Sequence, residues 1–184
     1  MGEQEFFAEE RNLKNMETRD FIQAQFDFLH NALVKITDGL SLEELAWRPG
    51  AANPIAFLML HIARSEDINV TTRLQGKPQV WVSGGWHKKY GLAADETTFG
   101  WTDEKLGAFK YPALKDMLAY ADAVSAETAK YVSSLNAREL ERVVNLSYLG
   151  DIPIGKLFAR TIIHISGHIG EMSYIRGLKR GMNK

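Results

Sequence analysis

Cysteine is absent from the 184-residue sequence, which excludes disulfides and any reaction or metal site that uses a thiol of the protein itself. Long hydrophobic runs are also absent. The longest, Pro54–Leu60, is far shorter than the roughly 20 residues that cross a bilayer, so no membrane span is expected. An excess of positive charge is missing too, because the formal net charge is −1, and nucleic acid is therefore not an expected partner.

The beginning of the chain lacks the pattern of a secretory signal. Met1–Arg11 is acidic, whereas a signal begins basic and then becomes apolar, so a cytoplasmic location is the expected default. Apolar residues make up 45% of the sequence and charged residues 24%, which is typical of a globular protein. A chain of this length is expected to fold as one domain, here residues 1–184.

Apolar residues at three- and four-residue steps predict four long helices: Thr18–Thr37, Pro54–Leu74, Pro112–Leu135 and Pro153–Lys179. Capping-box patterns begin at Ser41 and Asn136, and Asn53 is expected to cap the second long helix. Val143–Ile152 is expected to be extended and to contain a turn. No convincing strand alternation is found, so the predicted fold is all-α, a four-helix bundle of the up-down-down-up type.

A long connection, Lys77–Lys110, separates the second and third helices and lacks helical periodicity. It is rich in aromatic residues: Trp81, Trp86, Tyr90, Phe99 and Trp101. One interpretation is a lid over a substrate pocket, with Trp86, His87 and Tyr90 in contact with the bound ligand. The alternative is that these rings only fill one end of the bundle.

Histidines are the candidate metal ligands. His164 and His168 are four residues apart on a predicted helix, so both rings project from one face and can share an ion. His61 lies in a strongly apolar stretch, where a buried imidazole needs a partner. The alternatives are a structural buried histidine at position 61 and a solvated pair at 164 and 168. No glutamate follows His164 directly, which excludes the zinc peptidases with a His-Glu-x-x-His motif.

Two further polar residues lie on the predicted helices. Glu171 shares the face of His164 and His168, and it could support a ligand, act as a fourth ligand, act as an acid or base, or be a surface residue. His30 falls largely off the apolar stripe of the first helix and is expected at the surface.

Two blocks of the sequence resemble the DinB/YfiT-like superfamily of metalloenzymes. The first, within Leu42–Arg64, contains Leu45-Ala-Trp-Arg-Pro49, Asn53 and His61-Ile-Ala63. The second, within His164–Leu178, contains His164, His168-Ile-Gly170-Glu171 and Ile175-Arg-Gly-Leu178. The connection around Gly85-Trp-His-Lys-Lys-Tyr-Gly91 is similar to that of the branch near the mycothiol and bacillithiol S-transferases.

The resemblance implies a four-helix bundle whose divalent metal ion is held by His61, His164 and His168, and it implies a homodimer. Characterised members transfer low-molecular-weight thiols or use mycothiol to isomerise maleylpyruvate. Many members have glutamine where this chain has Glu171, which leaves the role of Glu171 open.

The function predicted from these observations is a metal-dependent small-thiol S-transferase acting on a small-molecule substrate. Zinc or nickel is the expected ion. Neutral imidazoles suit several divalent metals, so the three ligands alone do not fix its identity. The missing cysteines fit a thiol that is supplied from outside. The rival interpretations are a dimeric metal-binding module without catalysis and a metal-dependent hydrolase.

Overall fold

The computed structural model describes residues 16–181, and four long helices dominate it. They are α1 (Thr18–Thr37), α3 (Ile55–Glu66), α7 (Leu114–Ser133) and α9 (Ile154–Arg180). A π-helical segment, Asp67–Leu74, continues α3. The predicted long helices are thus present, with ends that agree to within two residues.

Five short helices connect them: α2 (Leu42–Ala46), α4 (Val80–Ser83), α5 (Trp86–Tyr90), α6 (Asp103–Ala108) and α8 (Ala137–Leu140). Both predicted capping boxes are confirmed, at Ser41 and at Asn136. The predicted cap at Asn53 is wrong by one residue. Pro54 occupies the cap position in an extended conformation, and its carbonyl accepts the first helical hydrogen bond from the Leu58 N–H.

One two-stranded sheet departs from the all-α prediction. Strand β1 (Val143–Leu146) pairs in antiparallel fashion with β2 (Gly150–Pro153), within the stretch that the sequence indicated to be extended. Strands of four residues are too short to show a clear alternation of apolar and polar residues. The described residues are mostly helical with this small hairpin added.

Helix α3 lies at the centre of the packing. Every residue from Ile55 to Arg64 is buried, and α1 and α3 each pack against both α7 and α9. The up-down-down-up order of these helices stays a prediction. Among the described helices, none combines the length and the apolar character that a membrane span requires.

The connection between α3 and α7 is more regular than predicted, because it contains the short helices α4, α5 and α6. Gly85 and Gly91 flank α5 with φ angles of +68° and +63°, which residues other than glycine rarely adopt. Trp81, in α4, is fully buried against the ring of Tyr120 at 5.3 Å.

A buried carboxylate holds the start of this connection. Asp67 accepts hydrogen bonds from the Val80 N–H at 2.9 Å, the Trp81 N–H at 2.8 Å and the Tyr120 hydroxyl at 3.0 Å. Its charge is balanced by Arg64, whose Nη1 lies 3.6 Å from Asp67 Oδ2, and neither side chain is exposed.

The same arginine holds the far part of the connection. Arg64 Nε and Nη2 both donate to the carbonyl oxygen of Glu96, at 3.1 and 2.6 Å. Its guanidinium also lies over the Trp81 ring, 4.6 Å from the centroid. Arg64 and Asp67 together therefore fix the connection at two points to the helix that carries His61.

We expect Asp67→Ala to lower the free energy of unfolding by about 3–5 kcal/mol, because it leaves the buried Arg64 charge without its partner. Urea unfolding at pH 7 measures the change. Asp95→Ala is the matched control: Asp95 is exposed in the same connection, and its loss should change stability by less than about 0.5 kcal/mol. Equal and small losses in both variants would show that the pair does not hold the connection.

Candidate metal centre

Three histidines from two helices meet at one point. His61 is on α3, and His164 and His168 are on α9. Their ring centroids are separated by 5.1 Å (His61 to His164), 4.9 Å (His61 to His168) and 4.7 Å (His164 to His168). One nitrogen from each ring lies within 4.8 Å of the others. The structure thus brings together the three residues that the sequence singled out.

His61 is fixed in an apolar setting. Only 8% of the residue is exposed, and its ring stacks on Phe57, one helical turn earlier, with centroids 5.7 Å apart. Its Nδ1 lies 2.9 Å from the hydroxyl oxygen of Thr98, which itself donates to the carbonyl of Thr97. The tautomer that carries its proton on Nδ1 donates to this hydroxyl and leaves Nε2 with a free lone pair.

His168 is oriented in a similar way, whereas His164 is not. His168 Nδ1 lies 2.9 Å from a carboxylate oxygen of Glu171, which leaves His168 Nε2 free. Nε2 of His164 is buried and has no hydrogen-bond partner among the described residues. An unpartnered buried nitrogen is costly unless something binds it. A carboxylate behind a histidine is the usual support of a metal ligand, so the three rings fit one divalent ion.

Burial keeps two of the rings neutral, which is the form that binds a metal. Desolvation, reinforced by the neighbouring His168 and His164, lowers the pKa of His61 from 6.5 to about 4. Desolvation also lowers the pKa of His164, with further contributions from His168 and Arg160. At neutral pH both imidazoles therefore offer lone pairs.

A pocket of about 620 Å³ opens beside His164. Its walls come from α3 and its π-helical continuation, the connection, the hairpin and α9, through Ser65, Asn69, Arg73, Phe99, Tyr148, Arg160, Ile163 and His164. This volume lies in the range of small-molecule sites. The cluster is thus accessible from a cavity and is not closed off by protein.

The three loop residues predicted to touch a ligand pack elsewhere. Trp86 lies against Tyr120 at 5.6 Å, and Tyr90 is buried against Trp81 at 5.3 Å. His87 Nδ1 lies 3.2 Å from the Trp81 carbonyl oxygen. These contacts favour the interpretation that this part of the connection fills one end of the fold, while Trp86, His87 and Tyr90 as ligand contacts stay a prediction.

The connection reaches the histidines through residues that sequence reasoning did not single out as contacts. Thr98 binds His61, and the Phe99 ring lies 5.7 Å from the His61 ring. Thr98 has a φ of +64°, an unfavourable angle for a β-branched residue, and such strain is often found at functional sites. No sequence pattern marks Thr98. Outside the cluster, His30 Nε2 contacts Asp122 Oδ1 at 2.9 Å.

Comparison with known proteins agrees with this geometry. A family model described as the DinB superfamily matches residues 25–172. The chain belongs to the DinB superfamily. A search of curated proteins found no match.

Among solved structures, this DinB chain is similar to a conserved protein from Enterococcus faecalis. The TM-score is 0.78 at 20% sequence identity, and the match covers 89% of this chain and 98% of the other. At this identity the likeness shows the shared fold alone.

Metal-free protein should lose stability as the pH falls from about 6.5 towards 4, in part through His61. In this window the unfolded chain takes up a proton at His61 and the folded chain does not, so protonation favours unfolding. We expect chelated His61→Gln protein to show a shallower loss than the chelated wild type in urea titrations at each pH.

His87→Gln is the control, because it removes a histidine outside the cluster and should keep the wild-type slope. A His61→Gln profile parallel to the wild type would contradict the low pKa of His61.

Proposed function

We propose that this DinB protein is a metal-dependent S-transferase for a low-molecular-weight thiol. His61, His164 and His168 bind one divalent ion, zinc or nickel, through three imidazole nitrogens. The observation that carries the proposal is the buried Nε2 of His164. It has no hydrogen-bond partner in residues 16–181, and it lies in a cluster of three histidines at the edge of an open pocket.

A divalent ion in this position would lower the pKa of a coordinated thiol, so that a small thiol is bound as its thiolate. The neighbouring protein residues then orient the histidine rings and exclude water from them. Thr98 and Glu171 hold the rings of His61 and His168 through their Nδ1 atoms, which leaves both Nε2 atoms free to bind an ion. Phe57 and Phe99 cover the His61 ring.

Glu171 is assigned the role of orienting His168. Its carboxylate already contacts the ring at 2.9 Å, and hydrogen bonding of this kind raises the basicity of a metal ligand. This contact supports that role over those of fourth ligand or surface residue. Removal of a proton from the incoming thiol by Glu171 is compatible with its partial exposure, 34% of the side chain.

Two rival functions make different demands on the site. A structural metal site in a binding module needs a closed coordination sphere, whereas only three candidate ligands converge among the described residues and a pocket adjoins them. This favours an enzyme. A metal-dependent hydrolase would use the same ligands, and the thiol requirement distinguishes it from the transferase.

The proposal includes a four-helix bundle that pairs as a homodimer. Helix α9 exposes two large apolar residues that do not line the pocket, Tyr174 and Leu178, which supports a contact between copies. Phe6 and Phe7, which the sequence suggested as additional apolar surface, lie outside the described residues.

Elemental analysis of gently purified protein tests the metal site. We expect up to one divalent ion per chain in the wild type and a large loss in His164→Ala or His168→Ala, because each variant removes one of three ligands. His30→Ala is the matched control and should keep the wild-type content, since His30 lies outside the cluster. Full metal content in a variant with alanine in place of His61, His164 and His168 together would show that the ion binds elsewhere.

A conjugation assay tests the transferase. Metal-loaded protein should join a thiol to an epoxide or haloalkyl probe faster than free metal does, with mycothiol, bacillithiol, coenzyme A or glutathione as donor. Glu171→Gln should keep the fold but weaken metal binding or activity by roughly 10- to 100-fold. If none of the four thiols supports turnover by metal-loaded protein, the transferase proposal fails and the binding module is preferred.

A further inference from the structure

Two arginines converge on one tyrosine at the pocket wall beside the histidines. The guanidinium carbons of Arg73 and Arg160 lie 4.6 and 6.0 Å from the centroid of the Tyr148 ring. Arg73 comes from the π-helical segment after α3, Arg160 from α9 and Tyr148 from the turn of the hairpin. Three separate parts of the fold thus build one face of the cavity.

Arg73 is held in place by a chain of hydrogen bonds. Its Nη1 donates to Asn69 Oδ1 at 2.5 Å and to the Tyr148 hydroxyl oxygen at 2.7 Å. Asn69, only 7% exposed, in turn donates to Thr161 on α9 at 3.0 Å. These partners fix the guanidinium. Its Nε and Nη2 groups make no hydrogen bond within the described part of the chain.

Arg160 is close to the metal centre. It precedes His164 by four residues on the same helix, so the two side chains project from one face about one turn apart. Arg160 is exposed and makes no hydrogen bond or ion pair with the described residues. Its charge is therefore available to a ligand in the pocket.

No ion pair with the described residues balances the charges of the two arginines. Among the described residues that line the pocket there is no aspartate or glutamate, and the acceptors of Arg73 are a neutral amide and a neutral hydroxyl. Two positive charges at one wall of a pocket favour the binding of an anion there. Arginine is well suited to this role, because its planar donors match carboxylate and phosphate oxygens.

We propose that Arg160 and Arg73 bind an anionic group of the ligand, a carboxylate or a phosphate, with its reacting atom at the histidine cluster. This inference rests on the proposed function and specifies its substrate class. Tyr148 forms the wall behind the anion, and the Phe99 and Ile163 side chains line the remainder of the pocket. A ligand of this kind carries its negative charge about one helical turn from the atom that reacts.

Calorimetry with a matched pair of thiols tests the subsite in metal-loaded protein. The probes are 3-mercaptopropionate and 3-mercaptopropionamide, which have the same length and differ in charge. We expect the wild type to bind the acid about tenfold more tightly, because a charge-assisted hydrogen bond is lost in the amide. Arg160→Gln should reduce this ratio to about one, without changing metal content.

Arg138→Gln is the control, since it removes the same charge at an exposed position outside the pocket and should preserve the ratio. A second arm titrates metal-free protein with succinate or inorganic phosphate. Binding is measured from the NMR signal of the Asn69 side-chain amide. If one of the two anions shifts this signal in the wild type but not in Arg160→Gln, the result supports the subsite and identifies the preferred anion.

The outcomes separate the subsite from the proposed function. If both thiols bind the wild type equally, the subsite is wrong although the metal site and thiol binding stand. Equal losses of preference in Arg160→Gln and Arg138→Gln would also overturn it, because general surface charge would then explain the effect. If neither thiol binds but an anion perturbs Asn69 through Arg160, the thiol proposal fails and the subsite stands.

Discussion

The buried ion pair between Arg64 and Asp67 is the contact on which the candidate metal centre depends. Both residues are completely buried, and both also hydrogen-bond to the connection between the second and third long helices. His61 lies one turn earlier on the same helix. The pair therefore fixes where the connection passes His61, and Thr98 and Phe99 follow two and three residues after the carbonyl that Arg64 binds.

Stability and function compete at the histidine cluster. A buried imidazole nitrogen that no described residue partners and a β-branched residue at positive φ both cost free energy in the metal-free protein. A bound divalent ion would recover part of that cost, because an ion that binds the folded state alone stabilises it. The apolar packing around α3 is extensive enough to tolerate such strain, since ten consecutive residues, Ile55 to Arg64, are buried.

The proposed site has two walls of different chemical character. The histidine rings and the phenylalanines beside them form a desolvated part that favours neutral imidazole. The side with Arg73 and Arg160 is more open and positively charged. Because Tyr148 lies in the hairpin, the short sheet that the all-α prediction omitted supplies part of this charged wall.

Sequence alone determined those features that depend on residues close together in the chain. The four long helices followed from apolar periodicity, the caps at Ser41 and Asn136 from local motifs, and the shared face of His164 and His168 from their four-residue spacing. Tertiary structure decided the rest. Periodicity states which face of a helix is buried but not which loop covers it. The contact of Thr98 with His61, and the approach of Arg73 and Arg160 to Tyr148, therefore emerged only when distant segments packed together.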